Sequence, residues 1–243
     1  MHKDLYSQTN FYWLMNIEQN ILSVKRRIKN ACQRAGVDEN SILLVAVSKT
    51  VPAEIIKEAV AHGIAHIGEN RVQEAEQKFR QLGRIATWHL VGHLQTNKVK
   101  KALQLFDLIQ SLDSLHLAEE INRQALRLGR TVDCLVEVNT SGEPSKFGVA
   151  PTECQKLIAE ISQLPAIHIR GLMTVGPISP DPEQVRPSFR LLRELKETIQ
   201  RQNFPNVSMD YLSMGMTNDF EVAIEEGANM IRVGRAIYEQ SYT

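Results

Sequence analysis

The sequence has few cysteines and no net charge, and each absence argues against a class of protein. Its three cysteines, Cys32, Cys134 and Cys154, are too few and too scattered for a disulfide framework or a zinc site, so we expect a reduced, cytoplasmic chain. The 28 Lys and Arg residues balance the 28 Asp and Glu residues. The basic excess that is typical of nucleic-acid binding is therefore missing, and we expect no nucleic-acid partner.

Long apolar runs are also missing. No stretch approaches the ~20 apolar residues that a membrane helix needs, and the longest clean run is ILLVAV at 42–47. Residues 1–16 contain neither an uninterrupted apolar segment nor a small-residue cleavage site, so we expect no secretion signal and no membrane contact. The sequence lacks both G-x-G-x-x-G after a strand and a Walker loop, which disfavours the nucleotide-binding open sheets.

What the sequence does contain is a regular alternation of strand-like and helix-like segments. The strand-like runs are more continuously apolar than alternating, as expected for parallel strands that are covered on both faces. Eight such units in one chain of this length predict a single α/β domain, a (β/α)8 barrel of the TIM type. The predicted strands are 42–47, 64–68, 87–92, 106–111, 132–138, 167–173, 207–213 and 228–234.

An additional helix precedes the first predicted strand. Asn16 is a plausible N-cap for it, and Gly36 is a plausible end. We therefore expect an N-terminal tail over residues 1–15 and one barrel domain over residues 16–243. The helix is predicted from one apolar stripe, which consists of Ile17, Ile21, Val24, Ile28 and Cys32.

If the chain is a barrel, its chemistry lies where strands end and the following loops begin. Lys49 follows the first strand at this rim, just after an apolar run. Partial burial in a barrel mouth disfavours the charged ammonium and frees the amine for Schiff-base formation. A lysine that simply extends its head into solvent at a strand end is the alternative.

The loops after the seventh and eighth strands form a second candidate site, since barrels often bind phosphate there. SMGMTND at 213–219 supplies the Ser213 and Thr217 side chains, and the next motif supplies Gly234 and a helix start at Arg235. Arg232 lies on the strand face that points into the barrel, where it needs a protein carboxylate or a ligand ring nitrogen. A Schiff-base lysine, a phosphate cradle and an arginine between them describe a pocket for pyridoxal 5'-phosphate (PLP).

The motifs around these residues resemble those of the pyridoxal phosphate homeostasis proteins. That family is similar to the N-terminal barrel of alanine racemase, so the resemblance implies an alanine-racemase N-terminal-domain-like fold. The resemblance covers about residues 16–238. The matching motifs are VAVSKT around Lys49, HIGENRVQE at 66–74, WHLVGHLQTNK at 88–98, SLDS at 111–114, VNTSGEPSKFG at 138–148, IRGLMTV at 169–175, LSMGMTND at 212–219 and IRVGRAIY at 231–238.

The resemblance implies a role for each matched position. Lys49 would carry PLP as an internal aldimine, and Arg232 would face the pyridine nitrogen. The phosphate would be held by Ser213, Thr217, Gly234 and Arg235, with a backbone contact from Met214. Asn70 and His89 would lie near the ring, and Met173 would line the pocket. His89 and His93 are four residues apart, but their segment is strand-like and lacks the HExxH glutamate, so we expect no metal site.

Two functions remain open at this point. One is a carrier for intracellular PLP homeostasis without dedicated catalytic activity, a monomer that releases PLP or transfers it to PLP-dependent apo-enzymes. The other is a PLP-dependent amino-acid racemase. Arg232 can only donate, so it keeps the ring nitrogen unprotonated and weakens carbanion chemistry. The racemases that the family resembles also take a second base, a tyrosine, from a C-terminal domain, and here only His89 could replace it. Both points favour the carrier.

Overall fold

The computed structural model describes residues 3–239, and these fold into one closed barrel of eight parallel strands. The strands follow one another around the barrel in chain order, and β1 pairs with β8 to close it. The predicted fold class is confirmed. The strands are β1 (Leu43–Val47), β2 (His66–Glu69), β3 (Thr87–Leu90), β4 (Leu108–Leu112), β5 (Val132–Glu137), β6 (Ile167–Met173), β7 (Val207–Ser213) and β8 (Met230–Val233).

A helix follows each strand and covers the outside of the barrel. None of the helices within residues 3–239 is long and apolar enough to span a bilayer. The helices are α1 (Lys3–Ala35), which precedes the barrel, and then α2 (Ala53–Ala61), α3 (Val72–Leu82), α4 (Val99–Leu105), α5 (Leu115–Arg127), α6 (Pro151–Ile161), α7 (Arg186–Gln200), α8 (Phe220–Glu225) and α9 (Arg235–Tyr238).

The additional N-terminal helix is confirmed, but it begins earlier than predicted. Asn16 lies inside α1 and is not an N-cap, because residues 3–15 contain no glycine or proline that would stop a helix. The predicted end is confirmed, since Gly36 follows the helix with a φ of +67°. The apolar stripe from Ile17 to Cys32 is buried. The division at residue 15 into a tail and a barrel domain stays a prediction.

Alternate residues of the strands face two separate apolar cores, as strands covered on both sides require. The larger core lies between the barrel and its helices and includes Trp88 and Ile67. The smaller core fills the barrel interior and includes Val45 and Met230. Two residues beyond Met230, at the next inward-facing position of β8, the interior carries the guanidinium of Arg232. Along β8 the interior therefore changes from apolar to polar toward the carboxyl end of the strand.

Candidate functional site

The residues predicted for the site occupy three different environments. Because all strands are parallel, their carboxyl ends meet at one rim, and half of these residues lie there. The others lie in the barrel wall beneath it. The rim residues are Lys49, Asn70, Thr217, Gly234 and Arg235, the inward-facing residues are His89, Met173, Ser213 and Arg232, and Met214 packs outside the barrel.

Lys49 lies in a tight turn that follows β1. The turn is closed by a hydrogen bond from the Val51 N–H to the Ser48 carbonyl at 3.0 Å. Thr50 has a φ of +63°, which is a strained conformation for a β-branched residue. The Lys49 side chain is exposed and not half-buried as expected, because it follows the strand beyond the rim. The desolvation expected there is therefore missing.

Closure of the barrel places Lys49 between the loops that follow β2 and β8. Val45 pairs with Arg232 across the β1–β8 seam. A Cβ added to Gly234 would lie 2.9 Å from the Val47 carbonyl oxygen, so only glycine allows this close approach. On the other side, the Ser48 N–H donates to the Gly68 carbonyl at 2.9 Å, and the chain continues from β2 to the half-buried Asn70.

The two predicted phosphate loops contact each other at the rim. The hydroxyl of Thr217, in the loop after β7, accepts from the Ala236 N–H in the first turn of α9 at 3.4 Å. Gly215 has a φ of +91°, and a Cβ there would lie 2.6 Å from the Cβ of Ala223. The Arg235 side chain beside this contact is exposed. The structure thus brings Thr217, Gly234 and Arg235 together, as the sequence predicted.

Arg232 is buried in the barrel wall below these loops. Its guanidinium donates to the Ser213 hydroxyl and to the Thr174 carbonyl, each at 2.7 Å. Burial lowers the pKa of Arg232 to about 10, an effect that attraction to Glu137 and Asp219 partly offsets. Among the side chains of residues 17–239 it has no ion-pair partner, and its two buried acceptors are neutral oxygens. A guanidinium has five N–H donors, and these two hydrogen bonds use two of them.

A chain of hydrogen bonds runs from Arg232 through the barrel interior. The Ser213 hydroxyl donates to Gln110 Oε1 at 2.6 Å, which leaves the Gln110 amide nitrogen facing His89 Nδ1 at 3.0 Å. His89 Nε2 lies 3.0 Å from His66 Nδ1. Each group in this series can donate a hydrogen to the next one, so all of its hydrogen bonds can point the same way, from Arg232 toward His66. The single hydroxyl hydrogen of Ser213 points to Gln110, so the expected side-chain donation to a phosphate is not available in this arrangement.

His89 lies deeper than the resemblance implied. Its side chain is 2% exposed, and both of its ring nitrogens are engaged. Burial, together with repulsion from His66, lowers the pKa of His89 to about 3. The imidazole is therefore neutral near pH 7 and has no nitrogen free to exchange a proton with a ligand.

The two predicted methionines differ in position. Met173 is fully buried in the inner core, at the end of β6. Met214 packs in the outer core, and its N–H already donates to the Met230 carbonyl at 3.1 Å. The Met214 N–H is thus engaged in the sheet, and the predicted backbone contact of Met214 with a phosphate stays a prediction.

Sequence reasoning missed three residues of the polar interior, namely Gln110, Glu137 and Thr174. Burial raises the pKa of Glu137 to about 7, while Arg232 opposes the rise. Thr174 accepts from Arg232 through its carbonyl. The available signal for Gln110 and Glu137 was a polar residue at an inward-facing position near the end of its strand, whereas Thr174 takes part through its main-chain carbonyl and carries no such signal.

Comparison with known proteins shows which families this chain is similar to. The family model described as "Alanine racemase, N-terminal domain" matches residues 14–241. The pyridoxal phosphate homeostasis protein of Aquifex aeolicus is 45% identical over 230 residues, which are 94% of this chain and 100% of that protein.

Solved structures agree with this assignment. A protein of unknown function from Bifidobacterium adolescentis has a TM-score of 0.89 at 38% identity, and the match covers 93% of this chain and 96% of that one. PipY of Synechococcus elongatus PCC7942, solved with PLP bound, has a TM-score of 0.79 at 37% identity, covering 91% of this chain and 99% of that one.

Proposed function

The chain belongs to the family of pyridoxal phosphate homeostasis proteins, and on that premise we propose that it holds PLP on Lys49 and releases or transfers it within the cell. The observation that carries the proposal is the closure of the barrel between β1 and β8. It sets the Lys49 turn beside Gly234, next to the loops that would hold the phosphate. A homologue with PLP bound supports the same ligand class.

The chemistry of the residues fits each part of PLP. Lys49 offers a primary amine for the aldehyde. Thr217 offers a hydroxyl and Arg235 an exposed cation for the phosphate. Gly215 and Gly234 keep the backbone of both loops closely packed where a Cβ would collide with its neighbours. The buried guanidinium of Arg232 supplies further N–H donors, which suit an unprotonated ring nitrogen.

Covalent holding and release are one reversible condensation. The Lys49 amine would condense with the aldehyde, with loss of one water molecule, and hydrolysis would return the free amine and aldehyde. The exposure of Lys49 leaves that bond open to water. We infer that this exposure suits a carrier that must give up its cargo.

The alternative, an amino-acid racemase, is favoured by the family model alone. Racemisation needs an acid–base group on each face of the α-carbon. Lys49 can serve one face, but His89 is neutral and engaged at both nitrogens. We therefore propose a carrier without dedicated catalytic activity.

The remaining expectations are part of the same proposal. The receiving partners would be PLP-dependent apo-enzymes, and the carrier would act as a monomer in the cytoplasm without nucleic acid. The three cysteines are free and buried, which supports a reduced setting. Light scattering on the purified protein measures its molar mass in solution and so tests whether it is a monomer.

The decisive experiment is borohydride reduction of PLP-loaded protein followed by mass spectrometry of its peptides. We expect the label on Lys49. Lys49→Ala abolishes the label, while Lys57→Ala, a control at an exposed lysine of α2, leaves it unchanged. A label on Lys57 or Lys146 in the unmodified chain would show that the site is wrongly placed.

A further inference from the structure

A buried ion pair lies directly beneath the turn that carries Lys49. Lys78 Nζ, on α3, is 2.7 Å from Glu69 Oε1, at the end of β2. Glu69 is fully buried and Lys78 is 9% exposed. Neither residue belongs to the site described above, and the function proposed for the chain does not use either of them.

Both members of the pair also bind Ser48, the residue before Lys49. Lys78 Nζ donates to the Ser48 carbonyl at 2.6 Å, and the Ser48 hydroxyl donates to Glu69 Oε1 at 2.5 Å. The same Ser48 carbonyl accepts from the Val51 N–H and so closes the turn. The ion pair therefore holds the first residue of the Lys49 turn through its main chain and its side chain.

The turn needs such support because its backbone is strained. A positive φ at a β-branched residue such as Thr50 is strained and persists only where the surrounding structure determines it. Local sequence preference would relax this turn and move Lys49. The contacts of Glu69 and Lys78 on Ser48 oppose that relaxation.

Stability alone is a poor reason for a buried ion pair. Removing both charges from water is costly, and an apolar pair of similar size often stabilises a protein equally well. Burial raises the pKa of Glu69, although the Lys78 ammonium and the hydrogen bonds oppose the rise. A pair that contributes little net stability, yet contacts the residue next to Lys49, points to a role in placing that residue.

We propose that Glu69 and Lys78 are positioning residues that hold the Lys49 turn, so that the Lys49 amine meets the PLP aldehyde while the phosphate is held by the loops after β7 and β8. This inference rests on the proposed function. Covalent attachment then depends on the buried ion pair, and phosphate binding depends on the loops after β7 and β8. An experiment can distinguish the two.

The test uses the double variant Glu69→Gln/Lys78→Met, which removes the pair without leaving one buried charge alone. Two quantities are measured: the fraction of bound PLP that borohydride traps on Lys49, and the affinity for pyridoxine 5'-phosphate, which has the ring and phosphate but no aldehyde. We expect the trapped fraction to fall about tenfold, equivalent to about 1.4 kcal/mol. The affinity for pyridoxine 5'-phosphate should stay within about twofold.

The matched control is Glu76→Gln/Arg80→Met, which removes an exposed ion pair on the same helix, where the two side chains meet at 2.6 Å. It should change neither quantity. If the double variant at the buried pair does not fold, Ser48→Ala, which removes the hydroxyl bond to Glu69 and leaves the ion pair in place, should shift the trapped fraction in the same direction.

Two outcomes would overturn the inference. An unchanged trapped fraction would show that the pair does not place Lys49. An equal loss of trapping and of pyridoxine 5'-phosphate affinity would show a general structural role. Failure of the proposed function is distinct, since the unmodified chain would then carry its label on a residue other than Lys49.

Discussion

The guanidinium of Arg27 donates to the main-chain carbonyl of Thr217 at 3.0 Å and binds both carboxylate oxygens of Glu221, at 2.7 and 3.0 Å. Asn20, two turns earlier on α1, donates to the Ile237 carbonyl of α9 at 3.0 Å. The N-terminal helix, which is not one of the eight barrel helices, therefore supports both loops of the proposed phosphate site.

We predict that Arg27→Ala weakens the binding of both PLP and pyridoxine 5'-phosphate. A hydrogen bond from a charged group contributes about 1.5–3 kcal/mol. If about a third of this free energy affects phosphate binding, the affinity falls roughly twofold to fivefold. Equilibrium dialysis measures both ligands. The control is Arg34→Ala, because Arg34 binds Glu225 at 2.7 Å on the same helix face but does not contact the loop. Equal losses in the two variants would contradict the prediction.

We predict that Arg235→Ala weakens PLP binding about tenfold, since a charge-assisted hydrogen bond to the phosphate would be lost. The ligand itself supplies the control: pyridoxal lacks the phosphate, so its affinity should not change. Fluorescence titration with both compounds measures the difference. A parallel loss for pyridoxal would assign Arg235 to the fold and not to the phosphate.

We predict that acid destabilises the protein through His89. Its pKa is lowered from 6.5 to about 3 in the folded chain, so the unfolded chain binds the extra proton between these values. The stabilisation is fully present above pH 6.5 and declines as the pH falls, by up to about 1.4 kcal/mol per pH unit. Burial lowers the pKa of His66 as well, and its contribution has the same sign.

The measurement is urea unfolding of His89→Gln from pH 7 to pH 4. The variant should be less stable at pH 7, because its interior bonds are altered, but its stability should depend less on pH. His116→Gln is the control at an exposed histidine of α5. The same pH slope in the unmodified chain and in His89→Gln would show that other groups govern the acid response.

We predict that the PLP-loaded protein does not interconvert the enantiomers of alanine at a useful rate. Incubation with L-alanine in deuterated water, followed by mass spectrometry and chiral chromatography, measures α-deuterium exchange and inversion. Slow exchange without inversion is compatible with a carrier, because one base suffices for it. Turnover of about 1 s⁻¹ or more, lost on His89→Ala, would establish the racemase.

The predictions from sequence were most accurate where one segment carries the whole signal. The bounds of β6 and β7 agree with the prediction to the residue, and each strand begins two residues after a proline. Lys49 was placed at the rim correctly, but the sequence left open whether its side chain is half-buried or exposed. Exposure depends on how far the turn after β1 carries the side chain beyond the barrel, and the strand pattern ends before that point.

The hydrogen-bond partners of the inward-facing residues could not be predicted from the sequence, because a strand pattern carries no information about distant strands. Alternation along β8 correctly predicted the inward direction of Arg232, whereas Ser213 was identified only by the motif at 213–219. Neither signal could show that Ser213 donates to Gln110, which is 103 residues away in the chain and lies on a different strand. The contact of Lys78 with Ser48 likewise joins a helix to a turn that is distant in sequence, so no local pattern predicts it.

The amino-acid sequence by itself determined the barrel, its rim and the residue types that collect there, because hydrophobic periodicity and strand ends are local properties of the chain. Only the tertiary structure decided which of these groups remain free for a ligand. Closure of the barrel brings strands that are distant in sequence within hydrogen-bond distance. Their mutual bonds engage His89, Ser213 and the Met214 N–H, while Lys49, Thr217 and Arg235 remain at the open rim.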